Sequence, residues 1–540
     1  MLAKQRQSKE DFGLRLRNVF VFLAIGLLAL AVAGCGGNSG GKGAKTELVY
    51  ASTKDIRNIN PHLYGGELAA QNMVFEPLVI NTAEGVKPWL AEKWTVSPDG
   101  REYTFSLRKD VKFSDGTAFN AEAVKLNIDA VLANAKRHAW LEMVNQIDHG
   151  EVVDEFTYKL VLKQPYYPLL EELGLTRPFR FASPKSFVNG GTKDGVNGYI
   201  GTGPWILSEH KPNQYAVFTA NSSYWGVKPK LASVRWKVMP DHQTILLALQ
   251  KGEIDLLFGS DGDMIDLDSF KALQKEGKYQ AVLSQPIGSR AILLNSAQPI
   301  TADPQVREAF QYAIDKKQIA DGILNGTEMI ADTLLASTVP YCNVPLAARA
   351  YDPEKAKQLM EAAGWSVGPD GYRYKNGKLC EVTISFNSNN AQERTISEFI
   401  QSNLKAIGVK LKVLGEEKQA FFDRQKSGEF DLQYSQSWGL PYDPHTYVSS
   451  WRIPAHGDYQ AQKGISRKVW LDDTIGRILA EQDSGKRQQL YNEILTYVHQ
   501  EAVYLPLTYS RIKAVHVAAL QGVAFNPSQF EIPFEKMFFQ

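Results

Sequence analysis

Between residues 352 and 414 the chain spells out a helix, a strand, a second helix and a second strand in close succession, and this stretch constrains the fold most. Asp352 suits an N-cap and Pro353 the first helical position, where a missing N–H costs nothing. Ala356, Leu359, Met360 and Ala363 follow at helical spacing, and Gly364 ends the run. Val382 to Phe386 then reads as a strand. Ile396, Phe399, Ile400, Leu404 and Ile407 form the apolar stripe of a helix that Gly408 stops, and Val409 to Leu414 is a strand again. A strand, a helix and a strand in that order imply a parallel pairing in a buried sheet, because the crossover must cover one face. The fold class expected is therefore α/β.

The same alternation runs from residue 46 onward. Leu48 to Ala51 opens as a strand, and Tyr103 to Leu107 alternates with period two. Asp115-Gly116 marks a turn, after which Asn120 caps a helix carrying Val124, Ile128 and Val131. With 540 residues, 44% of them hydrophobic, the chain is long enough for two or more cores. Its 60 basic and 59 acidic residues give no electrostatic reason to expect nucleic acid as a partner.

The first 35 residues stand apart from this pattern. Lys4, Arg6, Lys9, Arg15 and Arg17 precede an apolar run from Val19 to Ala33, which ends in Val32-Ala33-Gly34-Cys35. That is a secretory leader with small residues before the cut, and the cysteine after them resembles the bacterial lipobox. The resemblance implies removal of residues 1–34 and a lipid on Cys35; the alternative is an uncleaved anchor, for which the run is short. Residues 35–45 read as the lipidated cysteine and a flexible Gly-rich tether. The body is expected outside the cytoplasm, anchored to the cell membrane. Two further cysteines, Cys342 and Cys380, can pair in such a compartment, and their spacing leaves open whether they do.

Several stretches together resemble the peptide- and nickel-type (family 5) extracellular solute-binding proteins of ABC importers. They are Trp89-Leu90-Ala91-Glu92-Lys93-Trp94, Ser97-Pro98-Asp99-Gly100, Val111 to Gly116, Gly201-Thr202-Gly203-Pro204-Trp205, Gly252-Glu253-Ile254-Asp255 and Tyr351 to Ala356. Within the family, Asn60 to Tyr64, Arg137 to Glu142, Arg177 to Phe181, Trp438 to His445 and Pro454-Ala455-His456 are similar to its nickel-binding members. The resemblance implies a two-lobed periplasmic-binding-protein-like fold (type II, cluster C), with a hinge and a ligand cleft between the lobes. Lobe I would hold residues 46–286 and, on the chain's return, 511–540; lobe II would hold 287–510. The partners implied are an ABC permease and its ATPase subunits, with the binding protein a monomer.

The resemblance also implies a site. Tyr64, Trp140, Arg177, Trp438, Tyr442 and His456 match the aromatic, arginine and histidine positions that line the cleft in nickel-binding relatives. No tightly bound cofactor is implied. The cargo would be Ni2+, or a similar divalent metal, carried by a small carboxylate chelator such as histidine. Chemistry agrees, since one imidazole cannot hold a divalent ion alone. Arg177 would grip a chelator carboxylate, the aromatic faces would pack on the chelator, and His456 would serve as the metal ligand. Without the family, Arg177 reads first as a surface charge or a salt bridge within a lobe, and the tryptophans as core or rim residues. Tyr442 lies in a Gly- and Pro-containing loop, where exposed function is favoured over core packing. His62 and His445 are taken as structural. One departure stands out: nickel-binding relatives have a methionine shortly after the tyrosine matching Tyr64, whereas here Gly65-Gly66-Glu67-Leu68 is one residue shorter and puts Leu68 near that place.

The alternative cargo is a di- or oligopeptide. Peptide-binding relatives use an aspartate shortly after the cleft tryptophan to hold the peptide amine; here Pro441 stands there, with Asp443 nearby. An enzyme is not expected. The chain has neither a His-Glu-x-x-His zinc helix nor a phosphate-cradling Gly-x-x-x-x-Gly-Lys-Ser/Thr loop.

Overall fold

The computed structural model describes residues 45–259 and 265–540. The leader, Cys35 and nearly all of the tether lie outside the described residues. Among the described residues no helix is long and apolar enough to cross a membrane.

One mixed sheet organises the body. Ten of its strands are β1 (Glu47–Ser52), β2 (Trp205–Lys211), β3 (Tyr215–Ala220), β4 (Ser233–Val238), β5 (Leu256–Gly259), β6 (Tyr279–Leu294), β7 (Glu381–Asn387), β8 (Lys410–Glu416), β9 (Leu432–Gln436) and β10 (Tyr504–Val517). Their spatial order is β2-β3-β4-β1-β5-β10-β6-β9-β7-β8, and Met329–Ile330 adds a short strand to β10. The β-α-β unit expected from sequence is present. β7 and β8 pair in parallel from Glu381 opposite Lys410 to Asn387 opposite Glu416. The helix between them, Ala391–Ala406, is capped by Asn390 and buries Ile396, Ile400 and Leu404 against the sheet. Gly408 follows it with φ of 83°. The preceding helix, Pro353–Ala362, is capped by Asp352, whose side chain accepts from the backbone N–H of Lys355. Asn120 likewise caps Ala121–Leu132.

The fold is a two-lobed α/β arrangement, and β6 and β10 are the strands that run from one half to the other. They pair antiparallel from Tyr279 opposite Val517 to Leu293 opposite Tyr504. Near one end β5 joins β10 through residues 513–516; near the other, β9 joins β6 through residues 290–294. Between those ends the register shifts around Pro286, and again between Arg290 and Ala291. Proline has no N–H for the ladder, so the irregularity around Pro286 has a local cause. Beside this break the Arg290 guanidinium lies 2.8 Å from the Glu328 carboxylate, and Thr508 donates to the same carboxylate; all three residues are buried.

Separate apolar cores cover the two ends. Leu48, Phe218, Val234 and Trp236 belong to one, and Val382, Ile384, Phe386 and Ile400 to another. The largest cluster joins Phe105 and Tyr158, from a four-stranded antiparallel sheet (Ala91–Val96, Glu102–Leu107, Thr157–Leu162, Ile147–Asp154), to Tyr447, Trp451, Ile475 and Tyr491. Cys342 lies in this cluster and Cys380 in that of β7 and β8; both are buried, free thiols.

Candidate functional site

Loops at the ends of these elements bring all six candidate side chains to one cavity of about 620 Å³. Tyr64, Trp140, Arg177, Trp438, Tyr442 and His456 line it together. Tyr64 follows β1 in the loop before the helix Leu68–Val74, and Trp140 lies just before the short helix Glu142–Gln146. Trp438 and Tyr442 come from the loop leaving β9, and His456 immediately precedes the helix Gly457–Gln462.

The Trp438 loop is held from within. The buried Asp443 carboxylate accepts from the backbone N–H groups of Trp438 (3.2 Å) and Gly439 (3.1 Å). Gly439 has φ of 75°, and a Cβ there would come within 2.7 Å of the Ile287 carbonyl oxygen, so only glycine fits. Gln529 donates to the Trp438 carbonyl at 3.1 Å. The backbone that carries the indole is thereby fixed, and the ring lines the cavity. It lies 5.8 Å from Trp140, 6.3 Å from Tyr442 and 5.8 Å from His456, centre to centre. Tyr442 is only 6% exposed. It packs in the wall edge-on to Phe530, so it is both a core and a lining residue, where its loop setting had favoured exposure alone.

The opposite wall is built around Tyr64. The Trp140 indole donates to the Tyr64 hydroxyl at 2.6 Å, and that hydroxyl lies 2.6 Å from Nδ1 of the buried His138. Burial pushes the Tyr64 phenol up to about 12, against the pull of Trp140, Arg177 and Arg137. Burial also holds His138 down to about 4, so it is a neutral acceptor or donor at ordinary pH. Two guanidiniums rest on the Tyr64 ring: Arg177 at 4.7 Å and Arg137 at 5.4 Å from its centre. Neither has a carboxylate partner among the described residues; Arg177 has one long hydrogen bond, 3.4 Å, to the Gly66 carbonyl. Burial lowers the Arg177 pKa, and Tyr442 and Tyr64 oppose this; an arginine stays cationic regardless.

His456 is half-buried, and burial lowers its pKa below the usual 6.5 while Asp458 opposes the shift. It does not cap the helix that follows it. Among the described residues neither ring nitrogen has a hydrogen-bond partner. A neutral imidazole with its lone pair uncommitted is the state a metal ligand requires. His62 instead spends both ring nitrogens, on Thr192 and on the Arg180 carbonyl, each at 2.8 Å. His445 is buried edge-on to Tyr167.

Leu68 lines the cavity, at the place where the loop departs from the methionine pattern. Arg137, Gln436, Ser437, Gln529 and Phe530 also line it and were not singled out in the sequence. Arg137 sits three residues before Trp140 in a stretch already notable, so its signal was present. Gln529 and Phe530 arrive from the C-terminal segment after β10, and no local pattern marks them.

Residues 85–459 match the family model described as bacterial extracellular solute-binding proteins, family 5. The chain is 45% identical over 498 residues to the nickel-binding periplasmic protein of Escherichia coli K12, covering 92% of this chain and 95% of that one. It is 26% identical to the glutathione-binding protein GsiB of Escherichia coli O1:K1, covering 94% and 96%. The crystal structure of NikA from Brucella suis in complex with Fe(III)-EDTA superposes with a TM-score of 0.90 at 46% identity, over 92% of this chain and all of that one. The match to the family model, the near end-to-end identity and the shared two-lobed fold place this chain among the family 5 bacterial extracellular solute-binding proteins.

Proposed function

We propose that this chain captures a negatively charged transition-metal chelate, nickel foremost, and hands it to an ABC permease driven by ATPase subunits. One observation carries the reading. Two guanidiniums without carboxylate partners and one imidazole without a hydrogen-bond partner line the same aromatic cavity. The cationic pair suits chelator carboxylates, the indole and phenol faces suit its carbon skeleton, and His456 is the histidine that the cavity lining offers to a metal. Tyr64, Trp140, Arg177, Trp438 and Tyr442 are the ligand-binding set, and His456 is the metal ligand. Similarity to a nickel-binding protein and to a relative solved with a metal chelate supports this.

A peptide cargo is less well supported. Asp443, the candidate anchor for a peptide amine, spends its carboxylate on the Trp438 loop and does not line the cavity.

Lobe I comprises residues 46–286 and 511–540, and lobe II residues 287–510. The register break in β6 around Pro286 supports a boundary there. Closure of the lobes is driven by ligand contacts that exist only when both meet. The leader ends at residue 34, Cys35 carries lipid, and residues 35–45 tether a monomeric body outside the cytoplasm; the run of small residues before Cys35 supports this.

Calorimetric titration of the mature protein with nickel plus histidine, and separately with short peptides, tests the cargo. Binding of the nickel complex is expected; binding of peptides alone reverses the reading.

A further inference from the structure

A second cavity, of about 540 Å³, adjoins the first at Trp438 and His456. Trp438, His456 and Gln436 line both cavities, so these side chains form their common boundary. A single metal ion with a histidine-sized chelator is accommodated by the first cavity alone.

The second cavity differs from the first in carrying carboxyl groups in its lining. Apart from His456 and the Tyr434 phenol, its ionisable lining is Glu393, Asp458 and Arg290. Arg290 holds Glu328 at 2.8 Å and also faces Glu393, so the lining sets two carboxyls against one guanidinium that is shared with Glu328. Asp458 accepts from the Tyr447 and Tyr504 hydroxyls at 2.7 and 3.0 Å and so serves the core. Glu393 is less committed. One oxygen accepts from the Asn387 backbone N–H at 3.2 Å and the other from the Asn390 side chain at 3.0 Å. A carboxylate can accept about four bonds, so half its capacity remains. The Gln425 carboxamide, also in the lining, has no hydrogen-bond partner among the described residues. Phe421 and Phe422 supply an apolar side, and Phe422 is 46% exposed.

We propose that this second cavity is a subsite for an arm of the same ligand, and that the arm ends in an amine or another cationic donor received by Glu393. The inference rests on the metal-chelate reading and deepens it. The cargo is a dipolar chelate: its anionic, metal-holding head faces Arg137, Arg177 and His456, and its methylene-bearing tail passes the Trp438–His456 boundary to Phe421, Phe422 and Glu393.

The test uses two probes with one chelating head. Ni(II) nitrilotriacetate leaves coordination positions open for His456; Ni(II) bound to Nα,Nα-bis(carboxymethyl)lysine adds only an aminobutyl tail. Calorimetry on the mature protein should show the tailed chelate binding about tenfold more tightly, the scale of one charge-assisted hydrogen bond. Glu393→Gln should abolish that gain and leave the untailed chelate unchanged, with an unaltered melting temperature showing intact folding. Equal affinity for both probes, or a gain that survives Glu393→Gln, overturns the subsite. If nickel with histidine binds and neither of these chelates does, the subsite alone falls. If none of the three binds, the metal-chelate reading falls and takes the subsite with it.

Discussion

The indole N–H of Trp140 donates to the Tyr64 hydroxyl at 2.6 Å, and the same hydroxyl reaches Nδ1 of the buried His138. One phenol thus fixes a cleft tryptophan, engages a buried imidazole and carries two guanidiniums on its ring. Tyr64→Phe keeps the ring and removes the hydroxyl. It leaves the Trp140 N–H and His138 Nδ1 without this partner, a loss of about 1–3 kcal/mol. Chelate affinity is expected to fall with it, because Trp140 loses its orientation. Chemical denaturation and calorimetry on the same variant check both parts.

Arg177→Ala should weaken chelate binding about a hundredfold, near 3 kcal/mol, since the ligand carboxylate loses a partly desolvated cation. Arg177→Lys should recover only part of this, because an ammonium cannot make the two-pronged contact. Titration of both variants with nickel plus histidine measures the difference. An unchanged affinity in the alanine variant removes Arg177 from the site.

For His456 the expected signature is a change in metal preference and in pH dependence. Burial lowers its pKa below the usual value, which favours the neutral imidazole and moves its competition with protons to the acid side. Nickel binding should therefore hold through the neutral range and weaken on the acid side. In His456→Ala the affinity should be lower and this acid-side decline reduced. The melting temperature of the empty protein should stay close to the original, since the ring makes no hydrogen bond within the fold.

Asp443 gives a stability test independent of cargo. Burial raises its carboxyl from 3.8 to about 7, against hydrogen bonds from Ser437, Gly439 and Trp438. The native state then keeps a proton that the unfolded chain releases near pH 4. The associated stability is complete below pH 4 and is lost as pH rises through 7, at about 1.4 kcal/mol per pH unit within that window. Asp443→Asn cannot ionise. Relative to the original protein, it should gain stability between pH 5 and 7, whatever the offset at pH 5. Denaturant unfolding at the two pH values reads this difference; a constant offset would mean the carboxyl is not held protonated.

Much of the fold was legible in the chain because its signals are local. Caps at Asn120, Asp352 and Asn390, the stops at Gly364 and Gly408, and the stripe from Ile396 to Leu404 all act within a few residues. Hydrogen bonding and side-chain periodicity at that range are written directly in residue order, so the parallel pairing of β7 and β8 followed. The leader pattern before Cys35 is local in the same sense. Resemblance to a family nominated six cleft side chains, whereas residue order alone reads Arg177 first as a surface charge or a salt bridge within a lobe.

Tertiary structure alone decided which groups share a cavity and what each spends its bonds on. It set His456, with no hydrogen bond, apart from His62, with two. It turned the Asp443 carboxylate onto its own loop and left the two arginines on Tyr64 without carboxylates. It also brought Phe530 to Tyr442 and Trp438 to Trp140 from distant parts of the chain. The physical reason is range. Helix caps and strand periodicity are settled between neighbours, whereas the desolvation and hydrogen-bond state of a side chain depends on everything packed around it, and many of those contacts come from distant parts of the chain.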